Sequence, residues 1–121
     1  MRPIKIFSAI CLIVMAIFFV NACSKSDTSN PTPVDPNAQA VTIQNMAFSP
    51  STVTVAEGTK IVWTNMDGMD HTVTSNDGTS FSSGTISPGA SYTYTAAAAG
   101  SYPYHCSIHP SMTGTVQVVV K

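Results

Sequence analysis

Apolar and polar residues change their pattern three times along the chain. Met1 to Lys5 carries positive charge at Arg2 and Lys5, and Ile6 to Val20 is then almost wholly apolar. Ser24 to Ala40 contains three prolines, many small polar residues and almost nothing to bury. From Val41 to Lys121, apolar positions alternate with polar ones in short runs broken by Gly, Pro and Asn. That period belongs to half-buried β-strands. Strands are predicted over Val41 to Phe48, Thr52 to Val55, Lys60 to Asn65, His71 to Thr74, Phe81 to Ile86, Ser91 to Thr95, Ser101 to Cys106 and Thr115 to Val120. About eight short strands with frequent turn signals predict an all-β sandwich or barrel. Ala96 to Ala99 has helix propensity, but so short a run before Gly100 cannot sustain a helix and reads as a turn. Trp63, Phe48, Tyr92, Tyr94, Tyr102 and the Val and Ile positions are the expected core.

The first segment has the layout of a secretory signal, with a basic start, an apolar middle and small residues before a cleavage site. An uncleaved membrane anchor is the competing reading, although the apolar run is short of the roughly 20 residues of a span. Val20-Asn21-Ala22-Cys23 resembles the lipobox of bacterial lipoproteins, in which the cysteine becomes the acylated first residue. Ordinary cleavage nearby is the alternative. The expected organisation is a lipoprotein-type signal at 1–22, a lipidated Cys23 with a flexible linker at 23–40, and a domain at 41–121. The protein is then exported to the periplasm or outer face of the cell and tethered to a membrane without spanning it.

Cysteine usage sharpens this picture. Of three cysteines, Cys11 lies in the discarded segment and Cys23 is acylated, which leaves Cys106 alone in an exported domain. Such compartments are oxidising, so a lone thiol there needs protection. A metal supplies it; a buried, inert thiol is the bland alternative. From Val41 onward two Lys face three Asp and one Glu. With no basic patch, nucleic acid is excluded as a partner.

The chemistry is concentrated in Tyr104-His105-Cys106-Ser107-Ile108-His109-Pro110-Ser111-Met112. Its Cys-x2-His-x2-Met spacing lies between two predicted strands, so a short loop turns a thiolate, an imidazole and a thioether toward one point. His71 lies far away in sequence at the start of another strand. In a sandwich, strand ends distant in sequence meet at one pole. Two nitrogens, a thiolate and a weak axial thioether are the ligands of an electron-transfer copper site. Zinc competes, but needs a fourth Cys, His or carboxylate. Only Asp70 is near, and its adjacency to His71 makes the geometry awkward. A Cys–His nucleophilic dyad leaves Met112 unexplained and has no orienting acid.

These residues resemble the cupredoxins, and among them the plastocyanin/amicyanin-like group. The Tyr104 to Met112 loop, followed by Thr113-Gly114-Thr115-Val116, is similar to the short ligand loop of amicyanins. Trp63-Thr64-Asn65 before His71-Thr72-Val73 and the Phe81 to Gly89 stretch resemble other family segments. The resemblance covers about Val41 to Val120. It implies an eight-stranded Greek-key β-sandwich, one type 1 copper per domain, and transfer of single electrons between redox proteins of cytochrome or oxidase type by a monomer. It implies Cys106 as the strong thiolate ligand, His71 and His109 as the other equatorial ligands, and Met112 as the axial one. His109 then presents an edge to solvent as the electron port, and Ile108, Pro110, Met66 and Met69 form an apolar docking rim around it. Two positions depart from the family. Asp70 stands where many relatives have Pro, and Thr72 stands where plastocyanins have Asn. Thr72 can still bond across to the cysteine loop, and both departures bear on the redox potential. His105 faces away from Cys106 by strand alternation, as a second electron port or a plain surface histidine.

Two other functions compete. Met46, Met66 and Met69 add soft sulfurs suited to copper storage or delivery. A copper oxidase or nitrite reductase needs a second copper site and more histidines than His71, His105 and His109, so an enzyme is not expected.

Overall fold

The computed structural model describes residues 37–121. The expected signal sequence, Cys23 and most of the linker lie outside the described residues. Eight strands follow in order: β1 Ala38–Gln44, β2 Ala47–Ser49, β3 Thr52–Ala56, β4 Lys60–Asn65, β5 Thr74–Ser75, β6 Ser91–Thr95, β7 Gly100–His105 and β8 Thr113–Val119. They form two four-stranded sheets, ordered β2-β1-β4-β6 and β3-β8-β7-β5. The all-β Greek-key sandwich expected from the sequence is the fold. β1 begins three residues before Val41, because Ala38, Gln39 and Ala40 pair in parallel with Lys60, Ile61 and Val62.

Alternate residues on each strand point inward. Val41, Ile43, Ile61 and Trp63 of the first sheet meet Val53, Val55, Tyr104, Val116 and Val118 of the second, all buried. Trp63 and Tyr104 lie edge to face with ring centroids 5.6 Å apart, and the Trp63 Nε1–H donates to the Tyr104 hydroxyl at 3.1 Å. The buried polar atoms of both rings are thereby satisfied. Gly114, opposite Tyr104 in the β7–β8 ladder, leaves room for that ring; a Cβ there would overlap it. Of the aromatic core expected from the sequence, Trp63 and Phe48 are buried, whereas Tyr92, Tyr94 and Tyr102 pack only partly against it.

Three strand predictions need correction. Val41 to Phe48 is not one strand. Asn45 and Met46 form a two-residue turn with φ of 54° and 61°, and β2 folds back so that Gln44 faces Ala47. The usual turn signal at such a reversal, a glycine in the second position, is missing, so the alternation reads through. Phe81 to Ile86 is not a ladder strand either; it makes only the isolated bridges Thr74↔Ser82 and His71↔Ile86. Phe81 and Ile86 are buried, which gives the strand-like pattern, but Gly84 at φ 69° bends the chain between them. The predicted His71 to Thr74 strand shrinks to a bridge at His71 followed by β5. Ala96 to Ala99 is non-helical, as expected.

Candidate metal centre

Register brings the site together. β7 and β8 are antiparallel neighbours, and their last pair is His105↔Thr113. The seven residues from Cys106 to Met112 are therefore a hairpin loop. It is closed by the Cys106 amide donating to the Met112 carbonyl at 3.1 Å, and the Met112 amide donates to the His109 carbonyl at 2.9 Å. His71 arrives from the other sheet. After β4 the chain crosses the pole, bonds in both directions to Ile86, and joins the second sheet at β5, where Thr74 pairs with His105. That pairing sets Thr72 beside the start of the ligand loop.

Three donor atoms converge there. The Cys106 Sγ lies 3.8 Å from the His71 Nδ1 and 3.8 Å from the His109 Nδ1, and the two nitrogens are 3.3 Å apart. A triangle with these sides has a centre about 2.1 Å from every corner, which matches ordinary metal–nitrogen and metal–sulfur bond lengths of roughly 2.0–2.3 Å. His71 and Cys106 are fully buried, while His109 is half-buried. Among the described residues, this is the one group of three His, Cys, Asp or Glu side chains that converge closely enough to hold an ion. Asp70 is exposed and outside the group, so a zinc site completed by Asp70 is not formed. Met112 is buried at 2 % exposure at the foot of the loop. With soft sulfur and imidazole donors and no carboxylate, the set fits copper.

Neighbouring bonds hold Cys106 as a thiolate. Burial pushes the thiol up, but hydrogen bonds to the sulfur, the Thr72 amide first, bring it down to about 6. The Thr72 and His109 amides lie 3.3 and 3.4 Å from the sulfur. The Thr72 hydroxyl accepts from the Ser107 amide at 2.7 Å, so Thr72 does bond across to the cysteine loop.

Asn65 is a site residue that the sequence did not reveal as one. Fully buried, it donates from Nδ2 to the carbonyls of Met69 and Ile86, both at 2.8 Å, and accepts from the Asp67 amide at 2.9 Å. Its own backbone bonds Ala90 and Gly89. One amide side chain thus ties the chain before His71 to the segment that bridges it. Asp67 is another: its Oδ2 lies 2.9 Å from the His71 Nε2, the nitrogen that faces away from the sulfur. Hydrogen bonds from the Met46 amide, then the Asn45 amide and His71, outweigh partial burial and hold its carboxyl below the usual range. His105 lies on the opposite face from Cys106, its Nδ1 bonded to the Asn76 Oδ1 at 2.7 Å.

The comparison with protein families matches residues 10–119 to the cupredoxin-like domain. The chain belongs to the cupredoxin family. Solved cupredoxins agree with it in fold. A purple cupredoxin from Nitrosopumilus maritimus is 26% identical, with 67% of this chain and 99% of that one covered and a TM-score of 0.61. A methionine-to-alanine mutant of amicyanin in its Cu(I) form is 27% identical, covers 72% of this chain and 87% of its own, and has a TM-score of 0.66. An oxidised proline-to-alanine amicyanin mutant is 28% identical at the same coverage, with a TM-score of 0.65. No curated protein matches the chain.

Proposed function

We propose that this cupredoxin carries single electrons by way of one copper ion held by His71, Cys106, His109 and Met112. The observation that carries the reading is the convergence of one sulfur and two Nδ1 atoms on a common centre at bonding distance. Bound there, copper supplies a one-electron couple whose potential its ligands tune.

The protein's own part is positioning. Cys106 arrives already biased toward thiolate, and the Thr72 and His109 amides stabilise charge on its sulfur. The ligands hang from paired strands and a closed hairpin loop, so a change of charge meets a frame that moves little. Met112 supplies the weak axial thioether. His109, half-buried, is the edge through which electrons pass. Ile108, its neighbour in sequence, and Met66 are exposed, at 47 % and 58 %, and with Met69 and Pro110 they are the residues we assign to an apolar rim for docking redox proteins. No catalytic step belongs to this proposal. The Val20 to Cys23 lipobox supports export and a lipid anchor at Cys23, which a Cys23→Ser variant tests by appearing in the soluble rather than the membrane fraction.

The deciding experiment adds copper to the purified protein, wild type beside Cys106→Ser. An intense visible thiolate-to-copper band, lost in the variant, with reversible one-electron oxidation is expected. A colourless or redox-silent adduct would falsify the proposal.

Copper delivery is the second reading, favoured by the exposure of three thioethers, Met46, Met66 and Met69. Rapid loss of copper to an acceptor of moderate affinity would support it over the electron carrier.

A further inference from the structure

We infer that Asp67 is a positioning residue for His71, fixing its tautomer and holding the reduction potential of the centre down through its negative charge. The inference rests on the reading of His71 as a copper ligand and adds a residue outside the ligand set.

The carboxylate is occupied on three sides. Its Oδ1 accepts from the Asn45 amide at 2.7 Å, and its Oδ2 accepts from the Met46 amide at 3.1 Å and faces the His71 Nε2 at 2.9 Å. An ionised carboxylate has only acceptors to offer. The short contact to Nε2 therefore requires the proton of a neutral His71 to sit on Nε2. That leaves a lone pair on Nδ1, the atom turned toward Cys106 and His109. Partner groups on the far nitrogen of a ligating histidine fix its orientation and raise its basicity.

The clamp on the carboxylate is itself unusual. Asn45 and Met46 both lie in the left-handed region, at φ 54° and 61°, and neither is glycine. Such backbone persists where its surroundings over-determine it, and it clusters at functional sites. Here the conformation aims two successive amides at one carboxylate. The side chain of Asp67 is only 14 % exposed and that of His71 is fully buried, so water screens the charge weakly. Fixed negative charge next to a ligand favours the more positive state of the bound ion, and so lowers the potential. Asp70, although adjacent to His71 in sequence, is exposed.

The test is the reduction potential of the copper-loaded protein with Asp67→Asn and Asp67→Glu beside the wild type. For Asp67→Asn we expect the visible band to remain while the ratio of reduced to oxidised protein, at a fixed applied potential, rises about tenfold, on the scale of other outer-shell changes. For a one-electron couple that is an upward shift of about 59 mV. Asp67→Glu, which keeps the charge, should return most of the shift. A native-like band with an unchanged or lower potential in Asp67→Asn would overturn the inference and leave Asp67 as a turn fastener. The second measurement needs no substitution, and so stands even if Asp67→Asn fails to fold. Long-range nitrogen–proton NMR of the metal-free wild type should find neutral His71 protonated on Nε2; protonation on Nδ1 overturns the inference. A wild type that takes up copper without a thiolate band defeats the proposed function instead, and the NMR result then still decides the role of Asp67.

Discussion

Cys106 combines full burial with hydrogen bonds to its sulfur, those of the Thr72 and His109 amides among them, and the donors prevail. Its folded pKa falls from an ordinary 9.0 to about 6. A depressed pKa adds stability that is fully present above the unfolded value and is lost as pH falls through the folded one. The metal-free protein should therefore gain stability as pH rises from about 6 to 9. Thiolate absorbance of the metal-free protein should titrate near the lower figure, and Cys106→Ser should remove both effects. Copper competes with protons for the same sulfur, so its affinity falls in acid. Met46 gives a different residue-scale prediction. In the left-handed region a side chain costs roughly 1–2 kcal/mol, partly offset by the chain entropy glycine loses. Met46→Gly keeps the amide that holds Asp67 and should stabilise the fold by about 1 kcal/mol, read from chemical denaturation.

At the scale of elements, the ligand loop was legible and the support of His71 was not. Cys106, His109 and Met112 lie within one hairpin loop, so their spacing alone describes it. The strands β3, β4 and β6 were legible because each alternates cleanly between turn residues. Asp67 was hidden because its partners, Asn45 and Met46, are 22 and 21 positions earlier. The parallel register of β1 with β4 brings them near. Ile43 lies opposite Asn65, so the chain leaving β1 turns beside the chain leaving β4. No local pattern encodes that register, and the missing glycine concealed the turn itself. Asn65 was named only as part of a resembling segment, because polarity at a strand end gives no sign of burial. Its removal should be costly. Asn65→Ala leaves the Met69 carbonyl and the Asp67 amide without this partner and the Ile86 carbonyl with the His71 amide alone. A buried group so orphaned costs about 1–3 kcal/mol, and we expect a loss of at least that size in urea unfolding, with weaker copper binding.

Across the whole molecule, burial and charge divide by location. The interior between the sheets is apolar and aromatic, and its few buried polar residues, Asn65, His71, Thr72 and Ser75, gather around the metal centre and the crossing to β5. The surface carries few charges, two Lys against three Asp and one Glu from Val41 onward. Long-range steering is therefore weak, and on the proposed reading recognition of a partner falls to shape and apolar contact near His109.

The route of the chain at the pole has a mechanical consequence. His71 lies on the crossing that leaves β4 of one sheet and is bridged to Ile86, and the cysteine hairpin springs from the other sheet. An ion gripped by both acts as a clasp across the seam of the sandwich. Withdrawing it with a chelator should lower the melting temperature and speed amide hydrogen exchange first around residues 71–75 and 106–112, while the distant ends of the strands stay protected.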